Sequence, residues 1–276
     1  MSVLYAILTA LLQGVTEFLP VSSTGHLAVV SNLAGMPEDI NVNLLFIAFL
    51  HLGTLIAVLF SFRRELRTIT TDVANVLRGN DDAASNQPAP TVRMAFLVAV
   101  ATAPLLLAIP FYGAIRMLFS STPFIGVMMA ASGALLYASS KYVKGGTKTA
   151  RTFTLTDALI VGAAQLVAFI PGLSRVAATV TVALTRGADR DFAVKYSYFM
   201  SIPAIVGTII ATFIGALVTR SFAGFSVCLL GMIISAVVGI FSIGLLRIVM
   251  NKDKFVSFSY YNVIAGTIII ILSLIF

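Results

Sequence analysis

The 276-residue chain is poor in charge, with Lys, Arg, Asp and Glu at 11% of it, where soluble domains carry about a quarter. That scarcity excludes an ordinary water-soluble enzyme and any disordered or fibrous class. There is one cysteine, Cys228, and no CxxC pair, which excludes an intrachain disulfide. Cys228 sits in an apolar run beside Leu229 and reads as a small buried hydrophobe. With only two histidines, His26 and His51, the chain lacks the ligands of a structural zinc site. No basic n-region or clear cleavage site opens it, so no cleavable signal is expected.

What is abundant is apolar surface. Hydrophobic residues make up 59% of the chain and its mean hydropathy is +1.01. Six apolar runs, at about 44–62, 92–115, 124–141, 196–219, 223–247 and 256–276, are long enough to cross a bilayer, which takes roughly 20 residues. Strands of a membrane barrel would alternate polar and apolar residues, which these do not. The reading is an all-α polytopic protein, a single membrane domain over 1–276, in the cytoplasmic membrane. The net charge of +7 fits basic cytoplasmic loops rather than nucleic-acid binding. A polar stretch at about 63–91 reads as a cytoplasmic loop, its 78–91 part rich in turn formers.

Two further stretches, 1–35 and 155–185, are apolar but interrupted. The first carries Glu17-Phe18-Leu19-Pro20-Val21-Ser22-Ser23-Thr24-Gly25-His26 at its centre, the second Phe169-Ile170-Pro171-Gly172-Leu173-Ser174-Arg175. Each reads as two short helices around a break. Broken backbone at membrane depth needs protein or a wet cavity to satisfy it. Both are therefore expected to be re-entrant hairpins that enter and leave on one side.

Basic residues orient this layout. If 44–62 runs outside to inside, fifteen of the eighteen Lys and Arg fall on inner segments, Arg116 and Arg220 fall outside, and Arg175 lies within a hairpin. That bias places both termini outside. Phe18/Phe169, Pro20/Pro171 and Ser23/Ser174 each differ by 151 positions. Similar breaks opening to opposite sides predict an inverted repeat, with halves at about 1–141 and 155–276 and a site between them near the midplane.

Charge inside apolar segments is costly and marks function. Glu17 is the only acidic residue before Glu38, and Arg175 the only basic one between Arg151 and Arg186. If the two breaks meet, Glu17, His26 and Arg175 share a pocket. Arg175 offers a forked donor for phosphate or carboxylate oxygens. Gly172 allows close backbone approach, and Ser174-Arg175 should open a helix whose positive end favours an anion. Ser22, Ser23 and Thr24 add hydroxyls, and Gln13 lies one turn before Glu17. The plainer alternative is a Glu17–Arg175 ion pair that only locks the halves. His51 is equally readable as a packing residue, and Tyr260-Tyr261 as an interfacial belt.

The segment from Gln13 to His26 resembles the first signature of the undecaprenyl-pyrophosphate phosphatase family of the bacitracin-resistance type: Glu or Gln, three residues, Glu, then PVSSTGH. Pro171-Gly172-Leu173-Ser174-Arg175 with Thr179 is similar to its second, PGxSRSxxT. The likeness implies a membrane hydrolase that removes the terminal phosphate of a C55 polyprenyl pyrophosphate, giving the lipid carrier of cell-wall synthesis, with bacitracin resistance. It implies a site open to the extracytoplasmic side and dependence on Mg²⁺ or Ca²⁺. By matching position, Glu17 would be the essential acid and help hold the metal. His26 or Ser23 would be the nucleophile, and Arg175 with Ser174 would bind pyrophosphate. Gln13, Ser22, Thr24, Gly172 and Thr179 would complete the substrate site. Two positions depart from the pattern. Gln13 stands where glutamate is common, and Val176 replaces the second serine, removing a hydroxyl beside Arg175. The alternative on the same fold is a lipid-phosphate flippase or anion transporter. Membrane lipid is the expected surrounding, and a homodimer is compatible with the sequence.

Overall fold

The computed structural model describes residues 2–33, 44–79, 89–143, 145–220, 224–251 and 255–275. Lys144, Lys252, Lys254 and the 80–88 part of the expected loop lie outside these. Twelve helices follow in order among the described residues: α1 Val3–Thr16, α2 Ser23–Leu33, α3 Leu44–Ser61, α4 Arg63–Leu77, α5 Pro90–Thr102, α6 Tyr112–Leu118, α7 Thr122–Tyr142, α8 Leu155–Val167, α9 Arg175–Thr185, α10 Arg190–Thr219, α11 Phe225–Asn251 and α12 Val256–Ile275. Six segments are long and apolar enough to span: α3, Pro90–Phe111, α7, α10, and most or all of α11 and α12. The chain is thus an all-α polytopic membrane protein. Exposed Leu, Ile, Phe and Val side chains along these helices suit contact with lipid.

Helix starts follow local chemistry. Ser2 accepts from the Tyr5 amide to begin α1, and Asp189 accepts from the Asp191 and Phe192 amides to begin α10. Thr154 and Asp157 form a reciprocal capping box on α8. The run read at 92–115 spans over Pro90–Phe111, changing from α to 3₁₀ at Ala103–Phe111, where Pro104 and Pro110 supply no backbone N–H. One expectation needs correction. The stretch at 63–91, read as loop, opens with α4, whose Leu66 and Ile69 pack on the core while Arg63, Arg64 and Arg67 face outward.

α7 packs along α12, α3 along both α10 and α11, α1 along α11, and α5 along α8. Small residues allow the close crossings. A Cβ on Gly126 would stand 2.8 Å from the Gly266 carbonyl oxygen across the α7–α12 seam. The main core gathers Phe18, Phe62, Phe153, Phe192, Tyr196, Tyr198 and Phe199, all buried. Beneath the first break the Phe62 ring lies 5.4 Å from that of Tyr198, which meets Phe18 edge-on at 5.9 Å. Cys228 is fully buried.

The start of α8 is pinned electrostatically. Asp157, with no exposed surface on its side chain, accepts at 2.7 Å from both Lys148 Nζ and Arg186 Nε. Burial alone would push its carboxyl up, but these two cations and the Thr154 backbone amide hold it well below the usual carboxylate range.

Candidate active site

Both interrupted segments are helix–break–helix units, and the breaks touch. α1 ends at Thr16 and α2 begins at Ser23; α8 ends at Val167 and α9 begins at Arg175. The contact is made by two glycines. A Cβ on Gly25 would sit 3.0 Å from the Gly172 Cα. Gly172 itself has φ +95°, which L side chains rarely adopt, and a Cβ there would meet the Ile125 carbonyl oxygen at 2.5 Å.

The broken backbone is satisfied by side chains from distant helices, as an apolar surrounding demands. Tyr198 Oη donates to the Phe18 carbonyl at 3.4 Å and Asn262 Nδ2 to that of Pro20 at 2.7 Å. Arg175 Nη2 donates to the Glu17 carbonyl at 3.3 Å. In the second break the Ser174 amide donates to Ser132 Oγ at 2.7 Å.

A connected polar chain runs through the junction. Arg175 Nη2 also donates to Glu17 Oε1 at 3.3 Å, while Nη1 reaches the Ser197 carbonyl at 3.4 Å. Ser23 Oγ donates to Glu17 Oε2 at 2.7 Å, and Gln13 Nε2 donates to the same oxygen at 3.1 Å. Gln13 Nε2 also approaches His51 Nδ1 at 3.3 Å. Gln13 and Glu17 are buried; Ser23 and Arg175 are partly open. Since α2 starts at Ser23 and α9 at Arg175, two positive helix ends converge here, an arrangement suited to an anion.

The remaining expected residues divide. Ser22, at φ +61°, caps α2 by accepting from the Gly25 amide. Thr24 is partly exposed in the first turn of α2. Ser174 caps α9, accepting from the Ala177 amide, so its hydroxyl faces its own helix. Thr179 is fully buried behind Arg175, bonded to the Arg175 carbonyl and to Ser197 Oγ at 2.7 Å. His26 makes its ring contacts away from Glu17: Nδ1 lies 2.7 Å from the Ser22 carbonyl and Nε2 2.7 Å from Tyr261 Oη. Val176 does not leave a gap beside Arg175. It is 2% exposed within the main hydrophobic core, because one helical step turns a side chain by about 100°. Sequence reasoning did not place Ser132, Ser197, Tyr198 or Asn262 near the junction; each is an uncharged polar residue within a long membrane-spanning helix.

No group of three His, Cys, Asp or Glu among the described residues could hold a metal ion. The donors at the junction nonetheless fit a hard cation. Glu17 offers a carboxylate, and Gln13 Oε1 beside it is buried with no hydrogen-bond partner.

Residues 6–268 match the family model described as bacitracin resistance protein BacA. The chain is 35% identical to an undecaprenyl-diphosphatase of Alkaliphilus metalliredigens, over 99% of this chain and 100% of that one. It is 34% identical to one of Methanosphaera stadtmanae, over 100% and 99%, and 32% identical to one of Carboxydothermus hydrogenoformans, over 97% and 96%. With nearly its whole length matched, and with both signature segments meeting at one buried junction, the chain belongs to the bacitracin resistance protein BacA family.

Proposed function

We propose that this protein is an integral membrane hydrolase that removes the terminal phosphate of undecaprenyl diphosphate and returns the monophosphate carrier for cell-wall synthesis. The observation that carries the mechanism is the 2.7 Å hydrogen bond from Ser23 Oγ to Glu17 Oε2. A serine hydroxyl is a weak nucleophile until a base takes its proton, and here a carboxylate already accepts it.

The diphosphate sits against the first turns of α2 and α9. Ser23 Oγ attacks the terminal phosphorus and its proton passes to Glu17. The bond from that phosphorus to the bridging oxygen breaks, and the polyprenyl monophosphate leaves with the electron pair. Arg175 neutralises charge on the transferring phosphoryl group, the main contribution in such reactions. The Ser22 carbonyl accepts from His26 Nδ1, which leaves Nε2 as the basic nitrogen. That base takes a proton from the water that cleaves the phosphoserine, Glu17 returns its proton to Ser23 as the serine oxygen leaves, and His26 gives its proton to the departing inorganic phosphate. Glu17, Gln13 Oε1 and the diphosphate oxygens would hold Mg²⁺ or Ca²⁺, which supplies further neutralisation of phosphate charge. Direct attack by His26 is the second reading; like base catalysis by Nε2, it requires the bond to Tyr261 to open.

The packing supports reading the chain as two halves of an inverted repeat. α1 leans on α11 as α8 leans on α5, while α3 meets α10 and α7 meets α12. On this reading the helix pairs α1–α2 and α8–α9 are re-entrant, and the charge bias directs the site to the extracytoplasmic side of the cell membrane, with both termini there. One chain supplies the whole site, so a homodimer is not needed to assemble it.

The test is phosphate release from C55 polyprenyl diphosphate in detergent, with Mg²⁺ and then EDTA, beside Arg175→Ala. Metal-dependent release abolished by the substitution supports the proposal. No release by folded wild-type protein contradicts it.

A further inference from the structure

Tyr261 lies on α12, 235 residues from His26, on a face that reads from the sequence as an interfacial aromatic. Its hydroxyl is 2.7 Å from His26 Nε2, and the two rings stack at 5.8 Å between centroids with 14° between planes. The direction of that bond follows from the other side of the imidazole. The Ser22 carbonyl, 2.7 Å from Nδ1, can only accept, so Nδ1 carries the hydrogen. Nε2 then has a bare lone pair, and Tyr261 O–H is the donor. The adjacent Asn262 ties the Pro20 carbonyl at 2.7 Å. Two consecutive residues of α12 therefore hold the first break and the first turn of α2. Tyr261 is 45% exposed, so its hydroxyl stands where an incoming ligand can reach it.

We infer that Tyr261 is a positioning residue for His26 that also recognises the diphosphate: its hydroxyl caps Nε2 in the resting protein and transfers its hydrogen bond to a phosphate oxygen when substrate binds. An anionic oxygen is a stronger acceptor than a neutral imidazole nitrogen. The exchange uncovers Nε2 only when there is a phosphate to work on, and it adds one donor to the substrate. The inference rests on the hydrolase reading for its second half and on geometry alone for its first.

The test separates the halves. Tyr261→Phe keeps the ring stack and removes only the hydroxyl. Diethyl pyrocarbonate acylates an uncapped imidazole nitrogen, and peptide mass spectrometry distinguishes His26 from the buried His51. The expected result is acylation of His26 several-fold faster in Tyr261→Phe than in wild type. In phosphate release from C55 polyprenyl diphosphate, KM should rise about tenfold, the worth of a hydrogen bond to a charged group, with kcat changed far less. Unchanged acylation with unchanged KM overturns the inference, as does a fall in kcat alone with unchanged acylation. Faster acylation in a protein whose wild type releases no phosphate upholds the cap while the hydrolase reading fails.

Discussion

Glu17 and Arg175, 158 residues apart, are joined twice: one guanidinium nitrogen donates at 3.3 Å to both the main-chain carbonyl and the carboxylate of Glu17. The pair is largely removed from solvent, with side-chain exposures of 7% and 16%. Charge-assisted bonds of this kind commonly close to about 2.7–2.9 Å, so these are long. Arg175 is held in place by Glu17 and the Ser197 carbonyl, and its planar fork has further N–H donors for a phosphate.

Arg175→Ala should lower kcat/KM by at least about 100-fold, the scale for losing one donor aimed at developing charge. Arg175→Lys keeps the charge but not the planar fork that spans Glu17 and Ser197, and should recover only part of that loss. Steady-state phosphate release measures both. Equal activity of the lysine variant and wild type would mean that Arg175 acts as a point charge.

Gly172→Ala should disturb the junction itself. The new Cβ would meet the Ile125 carbonyl at 2.5 Å in a backbone at φ +95°. A strained position of this kind costs about 1–3 kcal/mol, read as a lower thermal midpoint in detergent together with lost activity. Gly113→Ala is the control, because a Cβ there has open space within 4 Å.

The meeting of Glu17 and Arg175 could be anticipated because each is a lone charge in a long apolar stretch, and cost singles it out. The same reasoning fails for polar atoms that carry no charge. Nothing in the apolar run of α12 marks Asn262 as the partner of Pro20, or Tyr261 as the partner of His26 rather than of lipid headgroups. α4 was hidden by its polar composition, since a helix lying on a surface has little of the apolar signal that marks a span. The change to 3₁₀ at Ala103 was written in Pro104 and Pro110 but overridden by hydropathy, which reads composition and not hydrogen-bond donors. For Val176 the motif gives the residue's place in sequence, while its direction depends on how α9 is rotated against the core.

Val176→Ser would complete the PGxSRS signature that the second break resembles. Because Val176 is packed in the main core, the serine should not raise kcat. Replacing two buried methyls by one hydroxyl there should lower stability by about 1–3 kcal/mol, read from thermal unfolding. A rise in kcat would place that side chain in the reaction after all.

Asp157→Asn tests the latch at the start of α8. Removing the carboxylate strands Lys148 and Arg186, both part-exposed and so partly rehydrated, and should cost about 1–3 kcal/mol at neutral pH. The sign of the pH dependence follows from the depressed carboxyl. Its contribution is complete above the ordinary aspartate value of about 4 and fades as pH falls from there toward the folded value. Wild-type protein should therefore lose more stability than Asp157→Asn as pH is lowered from about 5 to about 3. Parallel acid limbs for the two proteins would show that the latch carries no such linkage.

The most direct measurement of the hydrolytic site uses C55 polyprenyl diphosphate labelled in its terminal phosphate, mixed rapidly with wild-type, Ser23→Ala and Glu17→Gln proteins and quenched in parallel in acid, which preserves phosphoserine, and in mild alkali, which preserves phosphohistidine. Label transiently bound to Ser23 in wild type, with phosphate release lost in both variants, is the predicted result. Full release by Ser23→Ala, or label recovered on His26, would contradict the account.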